Sequence, residues 1–253
     1  MKFTFLGTGT SQGVPVITCT CEVCLSSDKK NNRTRTSLMI QSETTTAVID
    51  TGPDFRFQML REQVKDLDAV VFTHGHKDHV AGLDDIRPFN YLLGKTINVY
   101  AEERVQQILK NEFSYAFEPQ DYAGAPQINL NTIDETSFVV GDILFVPIRA
   151  LHNKLPVLGF RINDFTYITD ANFISDEELE KIKGSKVLVL NALRRETHYS
   201  HFNLEQAIEI VKKVKPERAY FTHISHHLGL HEKVEKELTE NVFLAYDGLV
   251  INC

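Results

Sequence analysis

The sequence predicts an α/β protein in which two mixed β-sheets pack face to face and helices cover their outer sides. Strand patterns with a few helices occupy the first half of the 253 residues, and the same mixture returns after Phe138. No linker, low-complexity run or block of like charge divides the two halves. We therefore expect a single domain over residues 1–253.

Composition narrows the classes of function. A chain that is 42% hydrophobic and 24% charged is typical of a soluble globular protein. No run approaches the roughly 20 apolar residues of a membrane span. The N-terminal MKFTFLGTGTSQG lacks the apolar segment of a signal peptide, so we expect a cytoplasmic protein with no membrane partner. The formal net charge of −7 argues against a broad nucleic-acid surface, but a local basic pocket could still hold a small phosphorylated substrate.

The N-terminal elements are predicted from alternation and turn residues. Residues 2–6 alternate as a strand does, and residues 38–50 are typical of a hairpin. Residues 7–15 form either a simple turn or a phosphate-binding loop, because small residues leave backbone N–H groups accessible. A helix is expected over residues 55–64. Asp50 would either hydrogen-bond the histidine-rich loop that follows or cap this helix.

The remaining elements continue the same mixture of strands and helices. Residues 114–126 are predicted to be a loop whose Tyr115, Phe117 and Tyr122 line a pocket or pack on the surface. Residues 80–93 are expected to be helix and loop, interrupted at residues 87–89. The other predicted strands cover residues 67–72, 97–100, 138–140, 143–147, 158–162, 165–169, 187–190, 220–222, 242–245 and 249–251, and the other helices cover residues 102–113, 175–182, 204–214 and 232–240.

The most informative stretch is Thr-His-Gly-His-Lys-Asp-His over residues 73–79, directly after a predicted buried strand. If the backbone stays extended, His74 and His76 point to the same side. Asp78 and His79 follow at once, so four metal-competent side chains leave one strand end within six residues. Imidazole and carboxylate together suit zinc, manganese or iron. A charged turn that holds histidines by chance is the weaker interpretation, because one histidine would fit it and three with an aspartate do not.

Three later residues also stand at the ends of predicted strands. His152, Asp170 and His223 follow the strands over residues 143–147, 165–169 and 220–222. A lone histidine after a strand is more often structural than ligating, but here the position is the one that a two-metal site needs. Asp170 is suited to bridge two cations about 4 Å apart.

Three of the four cysteines fall in a C-x-C-x₂-C cluster formed by Cys19, Cys21 and Cys24. In a chain that looks cytosolic, such clustering indicates a metal rather than a disulfide. A structural zinc normally takes four ligands. The fourth would be His226 or His227, with His231 and Cys253 less favoured, and three free buried thiols are the alternative interpretation.

The T-H-G-H-K-D-H stretch resembles the signature of the metallo-β-lactamase superfamily. That resemblance implies a four-layer αββα sandwich and a hydrolase with two divalent metals, zinc or manganese, with iron as a further candidate. A hydroxide held between the two metals would be the nucleophile. Matched position by position, the resemblance gives the first metal His74, His76 and His152, the second metal Asp78, His79 and His223, and Asp170 as the bridge.

Four further stretches resemble the PhnP-type branch, named for the phosphoribosyl 1,2-cyclic phosphate phosphodiesterase. They are G-T-G-T-S-Q-G-V-P, C-T-C-E-V-C, D-T-G-P-D-F-R and G-L-D-D-I-R-P-F-N, and the likeness runs over nearly the whole chain. It implies a small phosphodiester, cyclic in the family's type case, as substrate, and a homodimer. The implied structural zinc ligands are Cys19, Cys21, Cys24 and His226, and the implied catalytic residues are His201 as general acid and Asp78.

Other interpretations share parts of the pattern. A tRNA 3′-processing endonuclease has the core motif, but this chain has no long Gly-rich and basic insertion to grip tRNA, so tRNA is not an expected partner. A PqqB-like cofactor-biosynthesis protein and an acyl or thioester hydrolase are further alternatives. A non-catalytic metal-binding module is disfavoured because no expected ligand is missing. His198, His227 and His231 match no family role and are expected at the surface or in support of the ligands.

Overall fold

The computed structural model describes residues 1–117 and 124–253 and shows two β-sheets. The first sheet is antiparallel in one half and parallel in the other. Its strands are β1 (Lys2–Gly7), β2 (Ser37–Gln41), β3 (Thr46–Ile49), β4 (Ala69–Val71), β5 (Ile97–Ala101), β6 (Ile128–Thr132) and β15 (Val250–Asn252), in the order β15–β1–β2–β3–β4–β5–β6.

The second sheet repeats this mixed pattern. It is antiparallel at one side and parallel from β10 to β14. Its strands are β7 (Phe138–Val140), β8 (Ile143–His152), β9 (Leu155–Ile162), β10 (Phe165–Ile168), β11 (Phe173–Ile174), β12 (Val187–Asn191), β13 (Arg218–Thr222) and β14 (Val242–Leu244), in the order β11–β8–β9–β10–β12–β13–β14 with β7 beside β8.

Helices lie between the strands in sequence. The described α-helices are α1 (Phe55–Arg61), α2 (Lys77–Val80), α3 (Arg87–Leu93), α4 (Glu103–Glu112), α5 (Ser114–Phe117), α6 (Asp176–Ile182), α7 (Leu204–Val214) and α8 (His231–Glu235), and 3₁₀ turns cover Lys29–Asn31 and Leu83–Ile86. Among these described helices none is long and apolar enough to span a membrane.

Strand alternation explains the layers. In β3, Ile49 packs into the cluster between the sheets, while its neighbour Val48 packs with α1 and α4 on the outer side. In β12, Val189 faces the other sheet, and Leu190 packs with α6 and α7. The stacked rings of Phe3 and Phe165, 3.8 Å apart, join the two sheets directly. The predicted arrangement of two mixed sheets with helices outside is therefore confirmed.

Several predicted boundaries were wrong. The helix and loop expected over residues 80–93 are the end of α2, a 3₁₀ turn and α3, but the expected interruption at residues 87–89 is the start of α3, because Pro88 fits the first turn of a helix and cannot continue a preceding one. The predicted loop over residues 114–126 begins instead with α5. Tyr122 and the rest of residues 118–123 lie outside the described part of the chain.

His231 is buried rather than at the surface. Its backbone N–H donates to Asn31 Oδ1 at 2.8 Å, and Arg33 Nη2 donates to its Nδ1 at 3.0 Å. A guanidinium can only donate, so Nδ1 carries no proton when this bond is made. Burial, together with the charge of Arg33, lowers the pKa of His231 to about 4.

We expect this neutral histidine to make the protein less stable in mild acid. Below pH 6.5 the unfolded chain protonates His231 and the folded protein does not, so stability falls as the pH drops from 6.5 towards 4, by at most roughly 3 kcal/mol. Urea unfolding between pH 7 and 4.5 measures the slope. His231→Gln, whose amide oxygen can still accept from Arg33, should flatten it, and His227→Gln, at an exposed histidine, should not. Equal slopes in all three proteins would contradict the assignment.

Candidate functional site

The sequence-predicted ligands converge where strand ends from both sheets meet. His74 and His76 follow β4 of the first sheet. His152 is the last residue of β8, and Asp170 and His223 come just after β10 and β13 of the second sheet. The site therefore exists only because the two sheets are packed against each other.

Left-handed backbone at three non-glycine residues aims side chains into this site. Asp50, Asp170 and His223 have φ values of 62°, 53° and 54°. This conformation is uncommon for residues other than glycine, and it persists where the surrounding structure holds it. Each of the three lies one or two residues beyond a strand, so a sharp turn at the strand end directs the side chain inward.

The first histidine pair has the spacing of two ligands on one cation. His74 Nε2 lies 3.0 Å from His76 Nδ1. Two imidazole nitrogens that share a metal at its usual bond length are roughly 3.0–3.4 Å apart. The His152 ring lies 5.0 Å from the His76 ring and 5.8 Å from the His74 ring, measured between centroids. These three rings therefore line one side of the site.

A second group combines two imidazoles and two carboxylates. Donor atoms of Asp78, His79, Asp170 and His223 all lie within 4.8 Å of one another. His79 Nε2 is 3.2 Å from both Asp78 Oδ2 and Asp170 Oδ2. His223 Nε2 is 3.1 Å from Asp170 Oδ1. Asp170 therefore stands between the two imidazoles, one on each of its oxygens.

Asp170 also belongs to a third group, with His152 and His201. His201 Nε2 lies 3.1 Å from Asp170 Oδ1, and the His201 and His152 rings are 4.5 Å apart. The carboxylate thus connects the two sides of the site. The structure places His201, which the family likeness marks as a general acid, close enough to Asp170 for its Nε2 to face the same space as the ligands.

Electrostatics differ between the two sides. Burial would raise the pKa of the Asp170 carboxyl, but the imidazoles of His223 and His79 hold that pKa well below its usual range. Burial would lower the pKa of His79, but Asp170, Asp78 and Asp50 raise it well above its usual value. Against burial, Asp170 and Asp78 also raise the pKa of His223 to about 9. This side of the site is therefore arranged to hold positive charge.

The opposite side favours uncharged imidazoles. Burial is the main cause that lowers the pKa of His74 well below its usual value and that of His152 to about 4. Neutral imidazole is the form of histidine that binds metals. His74 and His152 are therefore ready to ligate across the neutral pH range.

The donor set fits divalent cations. Within this cluster Nε2 of His79 and both ring nitrogens of His223 are buried without a well-aligned hydrogen bond among the described residues, although carboxylate oxygens lie 3.1–3.2 Å from the two Nε2 atoms. A buried polar atom left unpaired costs roughly 1–3 kcal/mol, which a bound cation would offset. Imidazole nitrogens and carboxylates are ligands that zinc, manganese and iron share. This His/Asp cluster therefore offers a site for divalent metals.

Asp50 supports the histidine loop rather than capping a helix. Its Oδ2 lies 2.7 Å from His79 Nδ1, and its two oxygens accept from the backbone N–H and the hydroxyl of Thr73 at 2.9 and 2.7 Å. Helix α1 has Asp54 at its N-cap instead. Because a carboxylate only accepts, His79 carries a proton on Nδ1, and Nε2 is left as the ring nitrogen that faces the ligand cluster and is available to a cation.

Asp50→Asn should weaken the site without unfolding it. The amide cannot match a carboxylate as acceptor for His79 Nδ1, so the ring loses its fixed tautomer and orientation. We expect a loss of roughly 10–100-fold in metal affinity or turnover. Titration of metal-free protein with manganese measures it, with Asp142→Asn, at an exposed carboxylate, as the control. Equal affinity in the two variants would remove the supporting role.

A separate cluster joins the three cysteines to His226. The His226 Nδ1 lies 3.2, 3.4 and 3.5 Å from the sulfur atoms of Cys19, Cys21 and Cys24. Sulfur and nitrogen ligands on one tetrahedral zinc are roughly 3.5 Å apart. His227 is exposed, so the structure favours His226 over its neighbour as the fourth ligand.

The thiols of Cys21 and Cys24 have pKa values shifted in opposite directions. A hydrogen bond from the Cys24 backbone N–H is the main cause that lowers the pKa of Cys21 to about 6, and burial raises the pKa of Cys24 to about 11. One thiolate is thus available at neutral pH, and a bound cation would deprotonate the others. Because His226 is three residues after His223, this cluster borders the loop that carries a ligand of the main site.

The small-residue loop over residues 7–15 is built as a turn. The backbone N–H groups of Gly9, Thr10, Gly13 and Val14 donate to backbone carbonyls at 2.8–3.1 Å. Those four donors are therefore already used within the protein. This favours the simple-turn interpretation over a phosphate-binding loop.

Comparison with known proteins places the chain among related folds. The family model for a β-lactamase superfamily domain matches residues 45–224. A structure described as a new diphosphatase from the PhnP family is 38% identical, with a TM-score of 0.93, covering 100% of this chain and 97% of that one. A protein named octanoyltransferase from Porphyromonas gingivalis is 38% identical over 252 residues, which are 98% of this chain and 51% of that protein. This chain thus spans about half the length of that relative.

More distant structures share the fold alone. Zn²⁺-bound PqqB from Methylobacterium extorquens is 19% identical, with a TM-score of 0.81 and full coverage of both chains. The short form of human tRNase Z is 18% identical, with a TM-score of 0.71, covering 100% of this chain and 99% of that one. At these identities the likeness extends to the arrangement of sheets and helices, and not to substrates.

Proposed function

This chain belongs to the PhnP-type branch of the metallo-β-lactamase superfamily, and from that premise we propose that it is a two-metal phosphodiesterase acting on a small phosphodiester. One observation carries the proposal: Asp170 is shared between a His/Asp group on one side and a histidine group on the other. A carboxylate in that position is what a pair of cations needs as a bridge. A phosphodiester gains most from such a pair, because negative charge builds on its oxygens during the reaction.

The proposed ligand sets divide the site in two. The first cation would bind His74, His76 and His152, the second Asp78, His79 and His223, with Asp170 between them. Zinc and manganese are the proposed metals, with iron as a further candidate. When bound, such a pair of cations lowers the pKa of a water molecule and offsets charge on the phosphate oxygens. A single zinc is proposed at Cys19, Cys21, Cys24 and His226.

Two residues of the chain are assigned to the chemistry itself. His201 Nε2 faces the space around Asp170 and would give its proton to the leaving oxygen. Asp78 has 14% of its side chain exposed against 3% for Asp170, so it is the ligand carboxylate that a substrate or a water molecule reaches most easily. We assign it the role of orienting the attacking water.

His201→Ala should lower kcat by roughly 10²–10⁴-fold on substrates with poor leaving groups, because proton delivery contributes about that much. Metal content should stay the same. His227→Ala, at an exposed histidine, is the control. If His201→Ala loses a bound metal instead, His201 is a ligand and not the acid, since its Nε2 also stands within reach of the His152 and Asp170 donors.

A diphosphatase is the second candidate function. The PhnP-family structure that is 38% identical to this chain is described as a diphosphatase. A phosphoric anhydride places the same oxygen chemistry in the same site as a phosphodiester does. The two functions differ only in the leaving group, so comparing the rates of hydrolysis of phosphodiesters and of diphosphates distinguishes them.

The decisive experiment measures hydrolysis of bis(p-nitrophenyl) phosphate by protein loaded separately with manganese and with zinc. Cyclic ribosyl phosphates, cyclic nucleotides and a diphosphate diester would follow. Turnover that depends on metal supports the phosphodiesterase. No turnover of any phosphorus substrate, with both metals shown to be bound, would overturn the proposal and turn attention to esters and thioesters.

Other expectations enter the proposal as predictions. We propose a homodimer in the cytoplasm that acts on a small substrate, without tRNA or membrane partners. An endonuclease acting on tRNA should bind it with a steep salt dependence, so a binding assay across salt concentrations tests that alternative.

A further inference from the structure

We propose that His198 is a positioning residue that holds a proton on Nδ1 of His201 and so dedicates His201 Nε2 to proton exchange with the substrate. This inference rests on the proposed function, because it concerns the same reaction. His198 lies three residues before His201 on the loop that leads into α7. Its side chain is half-buried, and its Nδ1 lies 3.1 Å from His201 Nδ1.

The backbone determines the tautomer of His198. The N–H of Ser200 donates to His198 Nδ1 at 3.4 Å. A backbone N–H can only donate, so His198 Nδ1 offers a lone pair, and a neutral His198 carries its proton on Nε2.

This lone pair determines the proton position on His201. Two ring nitrogens 3.1 Å apart attract each other only if one of them carries a hydrogen, and that one must be His201 Nδ1. The Ser200 hydroxyl is compatible with this arrangement. Its oxygen lies 3.0 Å from His201 Nδ1 and 3.2 Å from His198 Nδ1, so it can share the His201 Nδ1 hydrogen as a second acceptor. The opposite tautomer would set two lone pairs against each other.

The consequence is that only His201 Nε2 can gain and lose a proton during turnover. That nitrogen lies 3.1 Å from Asp170 Oδ1, inside the cluster of ligands. After it gives its proton to a leaving oxygen, the imidazole remains neutral with the Nδ1 hydrogen still bonded to His198. The proton returns from water to Nε2, so atoms and charge balance over the cycle. His198 thus acts through His201 and does not need to touch the substrate.

Nitrogen chemical shifts of the histidines test the tautomer directly. In long-range ¹H–¹⁵N spectra recorded across pH, His201 of the wild-type protein should keep its hydrogen on Nδ1 in both charge states, with only Nε2 losing its proton, whereas His198→Ala should give a mixture of the two neutral tautomers. This readout does not require turnover. A His201 signal that is the same in the wild type and in His198→Ala would overturn the proposal.

Leaving-group dependence tests the consequence for catalysis. We expect His198→Ala to lower kcat roughly 10–100-fold for phosphodiesters whose leaving group has a high pKa, and less than about threefold for p-nitrophenyl esters, which need little help from an acid. KM and metal content should not change. His198→Asn keeps an acceptor oxygen where Nδ1 stood and should restore most of the loss. Thr197→Ala, in the same loop with an exposed side chain, is the matched control.

The outcomes separate this inference from the proposed function. If the wild type hydrolyses phosphodiesters and His198→Ala shows the wild-type leaving-group dependence, the role of His198 is wrong and the phosphodiesterase stands. A uniform loss on all leaving groups, together with loss of a metal, would also overturn the role, since it would mean that His198 supports a ligand. If the wild type hydrolyses no phosphodiester, the proposed function fails, while the spectra still decide the tautomer.

Discussion

Asp170→Asn should abolish turnover, with kcat reduced by at least about 10³-fold, and should lower the number of metals bound in the His/Asp site. The carboxylate contacts imidazoles on both of its oxygens and is the member common to both donor groups. An amide keeps the shape of the side chain but loses one charge and turns an N–H group towards one imidazole. The pair of cations would then lose its shared ligand.

Metal analysis and phosphodiester kinetics on the same preparation measure this effect. Asp164→Asn is the matched control, because Asp164 precedes the other end of β10 and forms an ion pair with the surface residue Lys186. The control should keep both metals and full activity. An Asp170→Asn protein with wild-type turnover would show that no bridging carboxylate is needed.

Cys21→Ser should release the zinc proposed for the cysteine cluster and destabilise the protein by at least roughly 3 kcal/mol. Structural zinc in small domains supplies much larger free energies, and here the fold has its own hydrophobic clusters, so the loss is only part of that value. The cluster joins the loop of residues 19–24 to His226, a sequence separation of more than 200 residues. Without zinc this connection between distant segments is lost.

Zinc content and thermal unfolding test this prediction. Cys253→Ser is the matched control, because Cys253 is exposed and lies outside the cluster. Only Cys21→Ser should lose one zinc per chain and show a lower Tm. If both variants unfold at the wild-type temperature with the same zinc content, the cluster holds no structural metal. A fall in the metal affinity of the His/Asp site in Cys21→Ser would show that the loop from His223 to His226 couples the two sites.

Local patterns predicted a large part of this protein. His74, His76, Asp78 and His79 lie within six residues, so backbone geometry alone limits how far apart their side chains can be. The order of strand and helix patterns along the chain likewise predicted two mixed sheets with helices outside, because each sheet must bury its apolar face against another layer. The helix at residues 114–117 and the place where residues 80–93 divide were missed, because short helices depend more on packing than on local pattern.

The sequence by itself determined the type of fold, the metal-competent motif after β4 and the cysteine cluster, because spacing along one chain segment expresses each of them. Only the tertiary structure decided that Asp170 stands between His79, His201 and His223, since these residues are 31 to 91 positions from it and meet through the packing of two sheets. It also decided that His226 and not His227 faces the thiols, that Asp50 holds His79, and that His198 faces His201. Each of these contacts depends on the orientation of a side chain at a strand end or in a loop, and that orientation is set by neighbours that are distant in sequence.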